Sequence, residues 1–466
     1  MTDRPAIDAA HWQERLETLA KESGVVGAVL GIMRLDEAGG PDEVVICTTG
    51  RLNANTGREV TADSLFQIGS TSKVWTATVI MQLVEEGKIE LDQLVKDILP
   101  DFKLSTEELT DKLTVRHLLN HTSGLDGDVF VDTGRGDDCL EKYMGVLETA
   151  EQIYPLGATW SYCNSGFSVL GRIIEVVTGQ VWDAAMKERL FAPLGLTHTV
   201  TLPEEALLFD TAVGHVVGLP EPVVAPVWTL QRNAGPAGLI VASMADHLAF
   251  GRMHLKNGEA ADGTRIIAEE TAELMHAFSA EVPEKYLLGD SWGLGVIRYD
   301  WHGARVYGHD GNTLGQAAFL RFYPEGNLVV GLLTNDNSAH ALYQELYGEV
   351  FREVAGVEIQ DPLVVPPEDE RPALDITPWL GTYERAGARI ELIQEEDGPH
   401  FKATQKGELA ELEENPVMEY VMKPVREGLW SVYLLEMSVD APVWLYQLDN
   451  GERYIHFGGR ATRKVA

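Results

Sequence analysis

The chain has 466 residues, 45% of them apolar and 23% charged, with a formal net charge of −35. This is the balance of a globular protein with more than one core, and it excludes a disordered, collagen-like or coiled-coil chain. So acidic a body repels phosphate backbones and anionic lipid, which argues against nucleic-acid and membrane-surface partners.

The first stretch, MTDRPAIDAAHWQERLETLAKESG, has no apolar signal-type core and reads as an amphipathic helix with Trp12, Leu16, Leu19 and Ala20 on one side. The longest apolar run, VVGAVLGIM from Val25, is far too short for a membrane span. Three cysteines, Cys47, Cys139 and Cys163, make no disulfide framework. A cytoplasmic location is the expectation.

Two β-rich runs follow, VVGAVLGIMRL (25–35) and EVVICTTG (43–50), bridged by the turn former EAGGPD. A long helix is predicted from Ser70, with others over 115–120, 164–179, 182–191, 243–256 and 269–278. The period then changes to strands: WGLGVIRYD, ARVYGHD, QAAFLRFYP and NLVVGLLTND, with turns at His302-Gly303 and Glu325-Gly326, before a helix over 339–354. Strands at both ends around a helical middle predict an α/β (α+β) body, an antiparallel sheet whose first and last strands pair. The Pro- and acid-rich segment 356–378 reads as a linker. Beyond it, GTYERAGARIELI, HFKATQ, VMEYVMKP, LWSVYLLEM, PVWLYQLD and RYIHFGG read as a small all-β barrel. The expected organisation is therefore 1–355 for the main domain, 356–378 for the linker and 379–466 for the barrel.

Three short motifs carry chemistry. In FQIGSTSKVWTATVIMQL, Ser70 and Lys73 are three apart at a helix start and so share a face. A serine hydroxyl needs a neighbouring base, and a desolvated lysine at a helix N-terminus can serve. Tyr162-Cys163-Asn164 precedes another helix; the phenol can exchange a proton with Lys73, and the amide can orient that lysine or hold a substrate carbonyl. A core tyrosine and a helix-capping asparagine are the plainer alternative. His309-Asp310-Gly311 ends a predicted strand, where Gly311 would let a substrate backbone approach and the Asn312 N–H could supply an oxyanion donor. Each motif alone arises often by chance.

Together, in this order, the three resemble the penicillin-recognising serine hydrolases: class C β-lactamases, DD-peptidases, D-aminopeptidases and esterases. LTVRHLLNHTSGL (113–125), PLGATWSYCNSGFSVLG (155–171) and NAGPAGLIVASMADHLAFG (233–251) agree with it. The tail resembles the lipocalin-like domain that many members carry. The resemblance implies a β-lactamase/transpeptidase-like fold with Ser70 as nucleophile, Lys73 as general base and Tyr162 as proton relay. It implies Asn164, His309, Gly311 and Asn312 as substrate-binding residues, with the N–H groups of Ser70 and Asn312 forming the oxyanion hole. No cofactor is implied. Classical β-lactamases and DD-peptidases have lysine at the place of His309; a mostly neutral imidazole there disfavours carboxylate-bearing substrates.

The other candidates are fainter. His117 and His121 are four apart on a predicted helix, a spacing zinc accepts, but no third ligand is visible and no metal is expected. The loop GRGDDCLEKY (134–143) could hold Ca²⁺ but reads as solvated, and Cys163 reads as packing. In GERYIHFGGRATRK, Arg453 and Arg460 suit a carboxylate or peptide carbonyl, with Arg460 favoured because two glycines precede it.

The expected function is acyl-enzyme hydrolysis or acyl transfer on a small-molecule or peptidyl ester, thioester or amide. One branch of the resembling family, the penicillin-binding-protein-type thioesterases, cyclises nonribosomal peptides, which would make a carrier-protein-bound thioester the partner. A D-aminopeptidase or esterase is the alternative within the class, and a non-catalytic binding protein on the same fold is the alternative outside it.

Overall fold

The computed structural model describes residues 6–36, 40–216, 221–336, 339–407, 410, 416–435 and 439–466. Residues 1–5 of the predicted first helix, 37–39 of the EAGGPD turn and 436–437 of the LWSVYLLEM run lie outside the described residues. The first helix begins where Asp8 accepts the N–H groups of Ala10 and His11, runs over Ala9–Ser23 (α1) and stops at Gly24, whose φ of 72° no longer continues the helix. Trp12, Leu16, Leu19 and Ala20 are its buried face.

Strands β1 (Gly27–Arg34) and β2 (Glu43–Gly50) join β3 (Ala280–Glu281), β4 (Ser291–Trp292), β5 (Ile297–Trp301), β6 (Ala304–Asn312), β7 (Ala317–Tyr323) and β8 (Leu328–Thr334) in one antiparallel sheet, ordered β2-β1-β8-β7-β6-β5-β4-β3. The first strand pairs with the last, Gly31 opposite Gly331. The predicted WGLGVIRYD strand divides into β4 and β5, because 293–296 turn with the Gly293 N–H donating to Val296.

Helix α2 (Ser72–Glu85) is buried nearly all round, a central helix rather than an amphipathic one, with Trp75 stacked 4.0 Å from Phe250. Against it pack α3 (Asn164–Thr178) and α4 (Met244–Leu255), and one large apolar core fills this side of the sheet. A second core lies on the other face, under α1 and α5 (Ala339–Val350). No helix among the described residues is long and apolar enough to cross a membrane.

Residues 356–378 carry only single 3₁₀ turns near their end, yet Leu363 is buried and Gln360 donates to the Lys285 carbonyl. A separate antiparallel sheet of nine strands follows, and its edge strand Val417–Val421 lies against Leu429–Leu434, the strand next to the other edge, so it curls into a nearly closed barrel with its own core of Tyr383, Leu392, Phe401, Val443 and Ile455. The two strands that matter for the site are β9 (Gly381–Arg385) and, at the chain end, the strand Arg460–Lys464 that pairs with it. Arg453 and Arg460 thus sit on two strands of a hairpin turned at Gly458-Gly459, rather than in one strand region.

Candidate active site

Ser70 lies in a 3₁₀ turn, Gly69–Thr71, that leads into α2. The turn is wedged against the end of β6. Pairing with β5 stops at Gly308, while His309 to Asn312 continue to pair with β7, so the opposite edge of these residues meets the Ser70 turn. A Cβ on Gly311 would stand 2.0 Å from the Ile68 oxygen and 2.8 Å from the Ser70 nitrogen. A Cβ on Gly69, whose φ is already 51°, would stand 2.6 Å from the Asn312 nitrogen. The glycine of the His-x-Gly motif therefore admits the protein's own nucleophile turn, not a substrate backbone as its sequence reading supposed. The Ser70 and Asn312 backbones are held beside each other by this contact.

One turn into the helix, Lys73 is fully buried, its Nζ 3.0 Å from Ser70 Oγ, and it donates to the Ala237 carbonyl at 2.7 Å. The short helix Gly235–Gly238 presents that carbonyl, with Thr76 Oγ1 donating to the Pro236 oxygen. Burial pushes the Lys73 ammonium well below its usual range; the Arg460 guanidinium adds to the effect and Asp128 opposes it. A lysine so desolvated gives up its proton more readily than an exposed one.

Tyr162 closes the other side, 4.7 Å from Lys73 Nζ to its ring centroid. Burial raises its pKa, opposed by the neighbouring Ser70 hydroxyl and by Arg460, so the phenol stays protonated. The Ser70 hydroxyl is close without reaching hydrogen-bond geometry: the Tyr162 hydroxyl is buried with no bonded partner among the described residues. Asn164 also lines the cleft, but its amide donates to Asp128 Oδ1 at 2.9 Å rather than orienting Lys73. The helix cap expected of Asn164 is made by Cys163, whose Sγ accepts the Gly166 N–H. Cys163 is buried behind the site, as packing.

His309 is 1% exposed, and burial together with Lys73 lowers its pKa to about 3. Its Nδ1 lies 2.6 Å from the Asp310 carbonyl, so that nitrogen carries the proton and Nε2 is an acceptor. His117 and His121 do not share a helix face: the helix ends at Leu119, and His121 has a φ of 60°. His117 forms a capping box with Thr114, while His121 accepts the Cys163 N–H on Nδ1 and lies 4.6 Å from the Tyr162 ring.

Asp128 and Arg385 are invisible to motif reading. Asp128 accepts from Arg460 at 3.2 Å on both oxygens and from Arg385 of β9 at 2.5 Å. Burial favours its neutral form, but Arg460 and Arg385 outweigh that and hold it ionised. The Ala386 N–H donates to Asp126. The barrel is thereby bolted to the loop behind Tyr162, and the Tyr162 N–H itself donates to Gly459. Arg460 stacks on Tyr162, Cζ 4.8 Å from the ring centroid. The only sequence signal was the glycine pair before Arg460; Asp128 and Arg385 are 257 residues apart in the chain.

Ser70, Tyr162, Asn164, His309, Asn312 and Arg460 border one cavity of about 380 Å³. A second, of about 280 Å³ at the barrel, shares Phe130, Gly458 and Arg460 with it and runs on to Ile390, Ala403 and Met418.

A serine beside a buried lysine and a protonated tyrosine, set where a helix start meets an open strand edge, defines a serine acyl-transfer enzyme. Residues 12–352 match the beta-lactamase family, and the chain belongs to it. It is 44% identical over 386 residues to penicillin-binding protein 4 of Amycolatopsis lactamdurans, covering 82% of this chain and 99% of that one. The solved structure of SurE with D-Leu superposes with a TM-score of 0.76 at 24% identity, over 98% of this chain and 99% of that one. A D-stereospecific amidohydrolase from Streptomyces sp. superposes with a TM-score of 0.58 at 26% identity, over 75% and 99%. The protein is a serine hydrolase of the β-lactamase and penicillin-binding-protein type.

Proposed function

We propose that the chain acylates Ser70 with a peptide-like ester, thioester or amide and passes the acyl group to water or to an amine. The finer reading is macrocyclisation, in which a peptidyl thioester, carried by a carrier protein or a small thiol, is attacked by its own N-terminus. The observation that supports it is the catalytic cleft itself: Ser70 lies on its floor with Lys73 buried behind it, Arg460 of the barrel forms one wall, and a second cavity continues along the barrel for a long acyl chain.

Ser70 Oγ attacks the carbonyl carbon while its proton passes to Lys73 Nζ. The N–H groups of Ser70 and Asn312 face the developing oxyanion. The tetrahedral centre collapses as the C–S, C–O or C–N bond breaks, and Tyr162, the protonated member of the pair, gives the leaving group its proton. Tyr162 is restored from Lys73. The ester is then attacked by water or by a free amine, which surrenders a proton to Lys73, and Lys73 passes that proton to Ser70 Oγ as the acyl–oxygen bond breaks. Asn164, His309 and Gly311 line or shape the acyl side, and Arg460 grips a substrate carbonyl or carboxylate.

The test uses the full-length chain with a peptidyl thioester whose N-terminus is free. A cyclic product, one water lighter than the linear acid, is expected. Linear acid alone from free-amine and blocked peptides equally would overturn the cyclisation and leave hydrolysis. That outcome is the D-aminopeptidase or esterase reading, which the similarity to a D-stereospecific amidohydrolase favours.

A further inference from the structure

Two basic side chains face one aromatic ring in this site. Lys73 Nζ lies 4.7 Å from the Tyr162 ring centroid and Arg460 Cζ lies 4.8 Å from it. Arginine does not lose its proton in a protein, whereas a buried lysine readily does. Arg460 cannot leave: both oxygens of Asp128 hold it, and its Nη1 donates to the Gly458 carbonyl at 2.8 Å. Asp128 is in turn fixed by Arg385 and Asn164.

We propose that Arg460 and Asp128 are positioning residues for acylation: by fixing a permanent guanidinium on the ring that Lys73 also faces, the barrel disfavours a second cation there and leaves Lys73 to accept the Ser70 proton. This rests on the reading of Lys73 as the base. The charge inventory around Lys73 is consistent with it. From α2 and the preceding turn come only Ser70 and Lys73. From the segment before α3 come Tyr162 and the neutral thiol of Cys163, raised by burial to about 12. His309 from β6 is neutral, and so is His121, whose pKa burial drives well down. Among the described residues Asp128 is the carboxylate that acts on Lys73, and it is already engaged by two arginines. Arg460 is therefore the group that opposes it.

The division of labour is unusual in its address. The base and the nucleophile lie within one turn of helix, yet the charge that sets the state of the base is nearly 390 residues further along and belongs to the other sheet. The catalytic body alone would keep Asp128 beside Lys73 without Arg460, and a lone carboxylate there favours the ammonium, which cannot act as a base.

The experiment follows Ser70 phosphonylation in the full chain by a small uncharged fluorophosphonate, with rate constants from intact mass across pH 5 to 10. Such a probe has no carboxylate or peptide for Arg460 to grip, so substrate recognition drops out. The rate requires neutral Lys73 and falls as pH drops through its pKa. Arg460→Met removes the cation, stabilises the ammonium and should move that acid limb up by about one pH unit or more, roughly a tenfold loss of rate below it. Arg460→Lys keeps the charge and should hold the limb near its original place. Arg460→Met with Asp128→Asn and Arg385→Met removes the whole charge cluster and leaves none of its members unpaired. Its limb should fall between those of the parent and the single variant. A uniform loss of rate with an unmoved limb, or a limb of the cluster-free variant at or below the parent's, overturns the inference. Absence of labelling in the parent chain would instead overturn the reading of Ser70 as nucleophile.

Discussion

Gly311→Ala is the sharpest probe of how the nucleophile is held. The added Cβ would stand 2.0 Å from the Ile68 oxygen and 2.8 Å from the Ser70 nitrogen, where real contacts are essentially never under 3.0 Å. Both obstacles are backbone, so neither can rotate away. The strand edge and the Ser70 turn must separate by roughly 1 Å, and overpacking of this kind costs about 1–3 kcal/mol of stability. The same displacement moves Ser70 relative to the Asn312 N–H, and a misplacement of about 1 Å in an active site costs about 10²-fold in rate. The assay is the acylation rate with an activated ester, beside a thermal melt. Gly145→Ala is the control: it lies in the helix Cys139–Leu147 with nothing within 4 Å of the added atom, and should be neutral or stabilising by about 0.5–1 kcal/mol. A Gly311→Ala variant with parental rate and melting temperature would refute the wedged-turn account.

Ser70→Ala should abolish acylation with the melting temperature kept, and labelling at another residue with retained turnover would refute the assignment. Lys73→Ala and Tyr162→Phe should each lose about 10²–10⁴-fold in acylation rate; near-parental rates in both would place the proton path elsewhere. Nitrocefin turnover should be weak, because His309 is neutral, and His309→Lys should raise affinity for carboxylate-bearing substrates. Glu284 is buried, with its pKa pushed up to about 8 by burial. Its stabilising share is full below the unfolded value of about 4.5 and lost as pH rises through 8. Glu284→Gln, which keeps the acceptor for the Tyr286 and Leu287 N–H groups, should flatten the fall in melting temperature between pH 5 and 9; an unchanged slope would refute it.

Local periodicity and turn chemistry are what made the fold legible. Alternation and Gly-containing turns located the strands around His309, and the amphipathic spacing of Trp12, Leu16 and Leu19 located the first helix. Ser70 and Lys73 were legible because a helix converts a spacing of three into contact. Asn164 was legible as a site residue but not in its bond, since its partner Asp128 sits in a loop with no period. His121 was misplaced because its helix stops at Leu119, and the αL turn that follows carries a histidine instead of the glycine that usually announces one. Gly311 was read as room for a substrate because the sequence cannot say that the Ser70 turn fills that room first.

The barrel is tied to the catalytic body by contacts of a kind that a loosely tethered appendage would lack. Tyr454 donates to the Ile153 carbonyl, the Ala461 N–H donates to Ser161, and the Tyr162 N–H donates to Gly459. Two of those bonds belong to Ser161 and Tyr162, so the segment carrying the phenol is fixed partly by the barrel's backbone. Arg385 and Arg460 then neutralise a buried carboxylate that the catalytic body cannot neutralise with described residues of its own. Leaving such a carboxylate unpaired costs about 3–5 kcal/mol, so undocking carries both a stability and an electrostatic consequence. Substrate length and proton transfer are therefore set at the same interface. A change in the barrel that accommodates a different acyl chain must keep Arg460 on Asp128 and on Tyr162, or the base itself is altered.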